Sequence, residues 1–140
     1  MSRVINIQSA GKTRTKLLKA TVIAIRELMR QEDIDHRSRD LAAFIALSTE
    51  AISRTIEPSV VAWEKRGYWV KADRFRLEWG WAETLGTNMR NATLEEDWST
   101  IAITAAQIAE KLSNVTVSER HRMGTPWVGA WDQLKIDEEN

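Results

Sequence analysis

The chain has 140 residues, of which 43% are hydrophobic and 29% charged, and its formal net charge is zero. Such a composition is typical of a globular protein and excludes an intrinsically disordered one. The length suits one domain with a real core and is too short for two ordinary ones. Cysteine is absent, which excludes disulfides, thiolate nucleophiles and cysteine-ligated metals and fits a reducing compartment.

The longest uncharged apolar runs, near residues 21–25 and 41–47, are far shorter than the roughly 18–20 residues of a membrane span. Residues 1–16 lack the apolar segment of a signal peptide. A cytoplasmic protein with no membrane partner is therefore expected.

Charge is unevenly distributed along the chain. Residues 1–91 carry 16 basic and 11 acidic side chains, whereas residues 92–140 carry 4 and 9. Attraction between the two ends of one fold explains this asymmetry simply. A basic face for an anionic partner is the alternative.

Two amphipathic helices are predicted before Pro58. Apolar residues recur at three- and four-residue steps over residues 13–29 and again over residues 39–56. The polar residues 31–36 separate the two patterns. Pro58 lacks an N–H and disfavours helix at the residue before it, so it starts a third element.

Residues 58–91 hold four of the seven tryptophans and are predicted to form one long helix. About 32 helical residues would reach roughly 48 Å, longer than any other helix here. Gly67 and Gly80 are the positions where a kink is expected. The seam repeats every seven residues through Val61, Lys65, Tyr68, Ala72, Phe75, Trp79, Ala82, Gly86 and Met89.

A fourth helix is predicted from a capping box, Thr93-Leu94-Glu95-Glu96, to about residue 113. Trp127, Trp131 and Leu134 then indicate a short C-terminal helix, while residues 115–117 could pair with residues 4–7 as strands. The predicted fold is a single all-α domain over residues 1–140, a four-helix bundle with a long Trp-rich helix. Residues 1–12 and 136–140 are expected to be flexible.

Catalytic and metal-binding signatures are not found in the sequence. Its two histidines, His36 and His121, lie in polar segments, and Glu32 and Asp33 near His36 make only a fragment of a carboxylate–histidine metal motif. The sequence has no P-loop, dinucleotide-binding or nucleophile-elbow motif. No catalytic residue, metal ligand or cofactor is therefore assigned, and a non-enzymatic protein is expected.

Residues 40–56, DLAAFIALSTEAISRTI, resemble the helix-turn-helix of the Crp-type bacterial regulators. That resemblance implies a turn at Leu47-Ser48 and a recognition helix in the major groove. The DNA contacts it implies are Ser48, Thr49, Glu50, Ser53 and Arg54. The same residues also fit an uninterrupted bundle helix. The segment AWEKRGYWVKADRFRLEWGWA is similar, weakly, to uncharacterised all-helical bacterial proteins, which implies a helical fold and no function.

Tryptophan combines a large apolar area with an N–H that needs a partner, so it favours interfaces and pocket walls as well as cores. The favoured hypothesis is a scaffold or interaction protein that forms a homo-oligomer, preferentially a dimer, through the Trp-rich helix. Two alternatives are kept: a DNA-binding regulator that uses residues 40–56, and a sensor of an apolar small ligand. The interface candidates are Trp63, Trp69, Trp81, Trp127 and Trp131.

Overall fold

The computed structural model describes residues 7–140, which form seven α-helices and no strand, so the predicted all-α class is confirmed. The helices are α1 (Ile7–Met29), α2 (His36–Arg54), α3 (Ile56–Lys65), α4 (Trp69–Trp79), α5 (Trp81–Leu94), α6 (Trp98–Lys111) and α7 (Ala130–Glu139).

Helix α2 lies at the centre of the fold and packs against α1, α5 and α7. The main core is drawn from α1, α2, α5 and α6, with Trp127 added from the loop before α7. Its largest fully buried members include Ile23, Leu41, Ile45, Met89, Ile101 and Ile108. These apolar positions recur at helical spacing in the sequence, which is why each helix buries one face.

The prediction of a single long helix over residues 58–91 is wrong, because these residues are divided among α3, α4 and α5. Gly67 has a φ of 79°, in the left-handed region that glycine adopts without strain. The N–H groups of Gly67 and Tyr68 donate to the carbonyls of Glu64 and Trp63, at 3.0 and 2.9 Å, in a Schellman motif that ends α3. Helix α4 then packs back against α3 as a helical hairpin.

The fourth predicted helix starts later than the capping box suggested. Asp97 is the N-cap of α6 and accepts a hydrogen bond from the Thr100 N–H at 3.2 Å. Thr93 instead lies buried near the end of α5. A Schellman turn separates the two helices, with Glu96 at a φ of 52° as its left-handed residue.

Asp40 of α2 fixes the start of α7. Its buried carboxylate accepts the N–H groups of Gly129, at 3.2 Å, and Trp131, at 2.9 Å. These are free N–H groups at a helix start, where an oxygen acceptor is needed. Leu134 of α7 is fully buried and packs against Ala43 of α2.

Arg90 of α5 ties α7 to α2. Its guanidinium donates to Glu50 at 2.8 Å, to Asp137 at 2.6 Å and to Glu138 at 3.2 Å. Hydrogen bonding to Glu50, then to Asp137, holds the pKa of Arg90 above its usual value. Residues 136–139 belong to α7, and the flexibility expected of residues 136–140 stays a prediction.

At the other terminus residues 7–12 are part of α1, and residues 1–6 lie outside the described residues. The predicted strand at residues 4–7 falls mostly outside them too. The flexibility expected of residues 1–12 stays a prediction. Val115 and Val117 are half-buried against the main core and lie in no strand.

Candidate interaction surface

The α3–α4 hairpin has a small core of its own, separate from the main core. Ile56, Val60 and Ala72 are buried in it, and the half-buried rings of Trp63, Phe75 and Trp79 pack around them. The Trp63 and Phe75 rings meet edge to face with centroids 4.7 Å apart. Such aromatic pairs add stability beyond the area they bury. They give the hairpin a rigid frame.

Arg14 of α1 joins the hairpin to the rest of the molecule. Its guanidinium lies 5.0 Å from the Phe75 ring and 5.8 Å from the Trp79 ring, and it donates to the Thr55 carbonyl at 3.1 Å. Burial lowers the pKa of Arg14. A cation over two aromatic faces is attracted by both rings, so the root of the hairpin is held firmly.

The free end of the hairpin carries an aromatic cleft, which we define by Trp63, Tyr68, Trp69, Lys71, Arg74 and Phe75. The cleft has a volume of about 680 Å³ and is open to solvent. Tyr68 is 55% exposed, Trp69 60% and the neighbouring Val70 66%. Leu77, seven residues beyond Val70 on α4, is 84% exposed. Exposed apolar side chains that share one cleft, as Tyr68, Trp69 and Val70 do, mark interaction sites on soluble proteins.

Arg76 pairs with most of the acidic side chains of the hairpin. Arg76 binds Glu57 at 3.0 Å and Glu64 at 3.2 Å and lies 3.7 Å from Asp73. The hydrogen bond that Arg76 donates to the Glu57 carboxylate is the main reason that the pKa of Arg76 is raised. Three of the four hairpin carboxylates thus lie against one arginine, whose single positive charge offsets part of their negative charge.

The basic side chains of the cleft remain available. The Lys71 ammonium lies 4.6 Å from the centre of the Trp63 ring. Arg74 lines the cleft, and Lys65 and Arg66 precede its turn. None of these four forms a salt bridge within residues 7–140, and Glu78 is the one acid that lines the cleft. The surface therefore combines exposed aromatic rings with positive charge.

The five tryptophans proposed for an interface do not come together. Trp63 and Trp69 line the cleft. Trp81 is half-buried against the main core, 5.9 Å from the Trp79 ring. Trp127 is only 4% exposed and belongs to that core, so it offers no face to a partner. Trp131 lies in the first turn of α7 and packs against a small buried cluster that includes Ala43 and Leu134, with the Lys135 ammonium 5.1 Å from its ring.

Helix α2 passes through Leu47 and Ser48 without a turn, unlike the arrangement that the helix-turn-helix resemblance implies. Ser48 and Thr49 are buried, and the Ser48 hydroxyl lies 2.7 Å from that of Thr21 on α1. These two side chains have no access to a DNA groove.

The other three candidates for DNA contact also lie within α2. The Glu50 carboxylate is bound to Arg90, and the Ser53 hydroxyl donates to the Glu50 carbonyl at 2.6 Å. Of the five, only Arg54 is exposed. Helix α2 packs against α1, α5 and α7, and DNA contact by residues 40–56 stays a prediction.

Sequence reasoning missed several residues of the surface, namely Tyr68, Val70, Lys71, Arg74 and Leu77. The signal that could have found them is the run Lys65-Arg66-Gly67-Tyr68-Trp69. Basic residues before a glycine are typical of a helix end, and such an end would have placed the two aromatic residues in a turn.

Comparison with known proteins returned no matching family model, curated protein or solved structure. No helix of residues 7–140 is long and apolar enough to cross a membrane. Within the same range, no group of three histidine or carboxylate side chains is placed to hold a metal ion.

Proposed function

We propose that this chain is a non-enzymatic interaction protein that self-associates, with a dimer as the favoured state, through its Trp-rich hairpin. In this proposal α1, α2, α5 and α6 act as a four-helix bundle that presents α3 and α4 to a partner. The observation that carries the proposal is the exposure of Tyr68, Trp69, Val70 and Leu77 on one small element.

Exposure of these aromatic side chains to water is unfavourable in free energy, so their burial by a partner would stabilise a complex. Burial of apolar area contributes about 25 cal/mol per Å², and each large aromatic ring can bury roughly 150–250 Å². Tyrosine, tryptophan and arginine also dominate the binding energy of measured interfaces. Tyr68, Trp69, Arg66 and Arg74 supply all three residue types within ten positions.

The hairpin is also preorganised for binding. Its rings are already packed against one another, and Arg14 fixes it to α1. Ordering of flexible side chains costs binding free energy, so a surface that is rigid before association binds more tightly. Trp63 and Phe75 thus form a part of the cleft wall that is already packed before association.

Sedimentation of the Trp69→Glu variant tests this proposal. The substitution places a charge at the centre of the exposed rings, and we expect it to convert the oligomer to a monomer. Val128→Glu is the matched control, because Val128 is 72% exposed in the loop before α7. That control should sediment as the unsubstituted protein does. Equal loss of association in both variants, or in neither, would contradict the proposal.

A further inference from the structure

A second apolar pocket lies far from the hairpin, between the end of α1, the α1–α2 loop and α6. It has a volume of about 210 Å³. Leu28, Trp98, Ile101 and Ala105 line it, and Met29 and Ile34 at its edge are 64% and 59% exposed. Sites for small organic ligands usually measure roughly 300–1,000 Å³. This smaller pocket suits a single large side chain.

The rim of this pocket is acidic. Glu32 and Asp33 belong to its lining, which includes no lysine or arginine. Neither carboxylate forms a salt bridge within residues 7–140, since the nearby Arg30 and Arg37 bind Glu27. The pocket also adjoins the C-terminal end of α1, where the helix dipole is negative. An aromatic side chain with positive charge beside it would be attracted here.

The hairpin carries that combination. We propose that the hairpin tip (residues 65–69) of one copy of this chain docks into the acidic pocket of a second copy. Trp69 or Tyr68 would fill the apolar floor, and Lys65 and Arg66 would face Glu32 and Asp33. The indole N–H and the phenol O–H each require an acceptor when buried, and the rim carboxylates provide it. This inference rests on the proposed self-association.

The occupant has to come from another molecule. Arg14, which contacts Phe75 and Trp79, and Leu28, which lines the pocket, are separated by about 21 Å along α1. The hairpin's attachment to α1 and the pocket therefore lie towards opposite ends of that helix. Two aromatic clefts facing each other would instead bring Lys71 and Arg74 close to their own copies. Like charges in an interface oppose association, so tip into pocket is the favoured pairing.

Complementation between two defective variants tests this pairing. Trp69→Glu removes the tip and leaves the pocket intact. The double variant Glu32→Lys, Asp33→Lys reverses the charge of the rim and leaves the tip intact. Ala102→Phe, at an exposed alanine of the pocket lining, blocks the pocket without a change of charge. Asp132→Lys, Glu139→Lys repeats the charge change on α7 and serves as the control.

We expect each tip or pocket variant alone to lose at least about tenfold in self-association, because a reversed charge in a contact costs more than one tenfold step. An equimolar mixture of Trp69→Glu with either pocket variant should regain a 1:1 complex, since one intact tip then meets one intact pocket. The α7 control should associate normally. Circular dichroism would verify that every variant is folded.

Failure of this inference is distinguishable from failure of the proposed function. If the unsubstituted chain associates through Trp69 but both pocket variants associate as well as it does, the pocket is not the receptor and the self-association proposal stands. Loss of association in the tip and pocket variants with no recovery on mixing would contradict the tip-into-pocket pairing, because one intact tip and one intact pocket are then present but do not bind each other. A monomeric unsubstituted chain would overturn both proposals.

Discussion

At the scale of single residues, Gly86 sets how closely α5 approaches α2. A Cβ added there would lie 2.9 Å from the Cγ of Glu50 and 3.1 Å from its backbone nitrogen. Backbone atoms of a buried helix cannot move aside freely. Gly86→Ala should therefore lower the free energy of unfolding by about 1–3 kcal/mol, the usual cost of overpacking. Urea denaturation measures this change.

Gly11 offers the control for that substitution. It lies within α1, and a Cβ there would have no neighbour within 4 Å. Because alanine favours helix over glycine, Gly11→Ala should raise the free energy of unfolding by up to about 1 kcal/mol. A Gly86→Ala variant as stable as Gly11→Ala would refute the close approach of the two helices.

Two helix caps give stability a dependence on pH. Asp35 accepts the Ser38 N–H at 3.1 Å, and Asp97 accepts the Thr100 hydroxyl at 2.7 Å. These hydrogen bonds lower the pKa of each carboxyl from its usual 3.8. A lowered carboxyl pKa stabilises the fold above the unfolded-state pKa, and that contribution is lost as pH falls through the folded-state pKa.

The double variant Asp35→Asn, Asp97→Asn isolates this effect. Asparagine caps a helix well, but it does not titrate and has no negative charge to interact with the helix dipole. We expect the unsubstituted protein to be the more stable of the two at neutral pH. The difference between their urea midpoints should shrink as pH falls from about 5 to about 3. A difference that stays constant would mean that the caps do not titrate with folding.

At the scale of elements, the turn at Gly67 decides whether residues 58–91 form a rod or a hairpin. Gly67→Ala forces a side chain into the left-handed region and should cost about 1–2 kcal/mol of stability. Gly67→Asn should cost less, because asparagine tolerates that region better. Thermal unfolding of the two variants compares them. Equal stability of both with the unsubstituted protein would argue for a continuous helix.

Docking of α7 depends on Asp40, which is about 90 positions away in sequence. Asp40→Ala leaves the Gly129 and Trp131 N–H groups without their acceptor, at a cost of about 1–3 kcal/mol. Hydrogen exchange of the α7 amides should accelerate, while that of α1 changes little. Asp132→Ala, on the exposed side of α7, should leave the exchange unchanged. Unaltered exchange in Asp40→Ala would show that α7 docks by other contacts.

The helices themselves were largely predictable, because a 3.6-residue apolar period reports local amphipathicity directly. Their interruptions were harder to predict. A seven-residue seam from Val61 to Met89 continues across Gly67 and Gly80, so periodicity alone could not reveal that α4 turns back onto α3. Likewise Thr93 and Glu96 match a capping box, but the Schellman turn at Glu96 moves the helix start to Trp98.

At the scale of the whole molecule, the seven tryptophans have different surroundings. The sequence indicated that a partner would bury some of the tryptophans. In the structure Trp127 lies in the main core, whereas Trp69 lines the cleft and is 60% exposed. Which tryptophan is exposed depends on the direction in which α4 folds back and on the loop that carries Trp127. Both are tertiary features, and spacing along the chain does not encode them.

In our proposal the exposed hairpin makes this chain self-associate. Light scattering over a rising concentration series tests it most directly. For the unsubstituted protein we expect a weight-average mass that climbs above the 16.0 kDa of one chain, towards about twice that value. The Trp69→Glu variant should remain at the mass of one chain throughout. An unsubstituted protein that stays at 16.0 kDa across the whole series would contradict the claim.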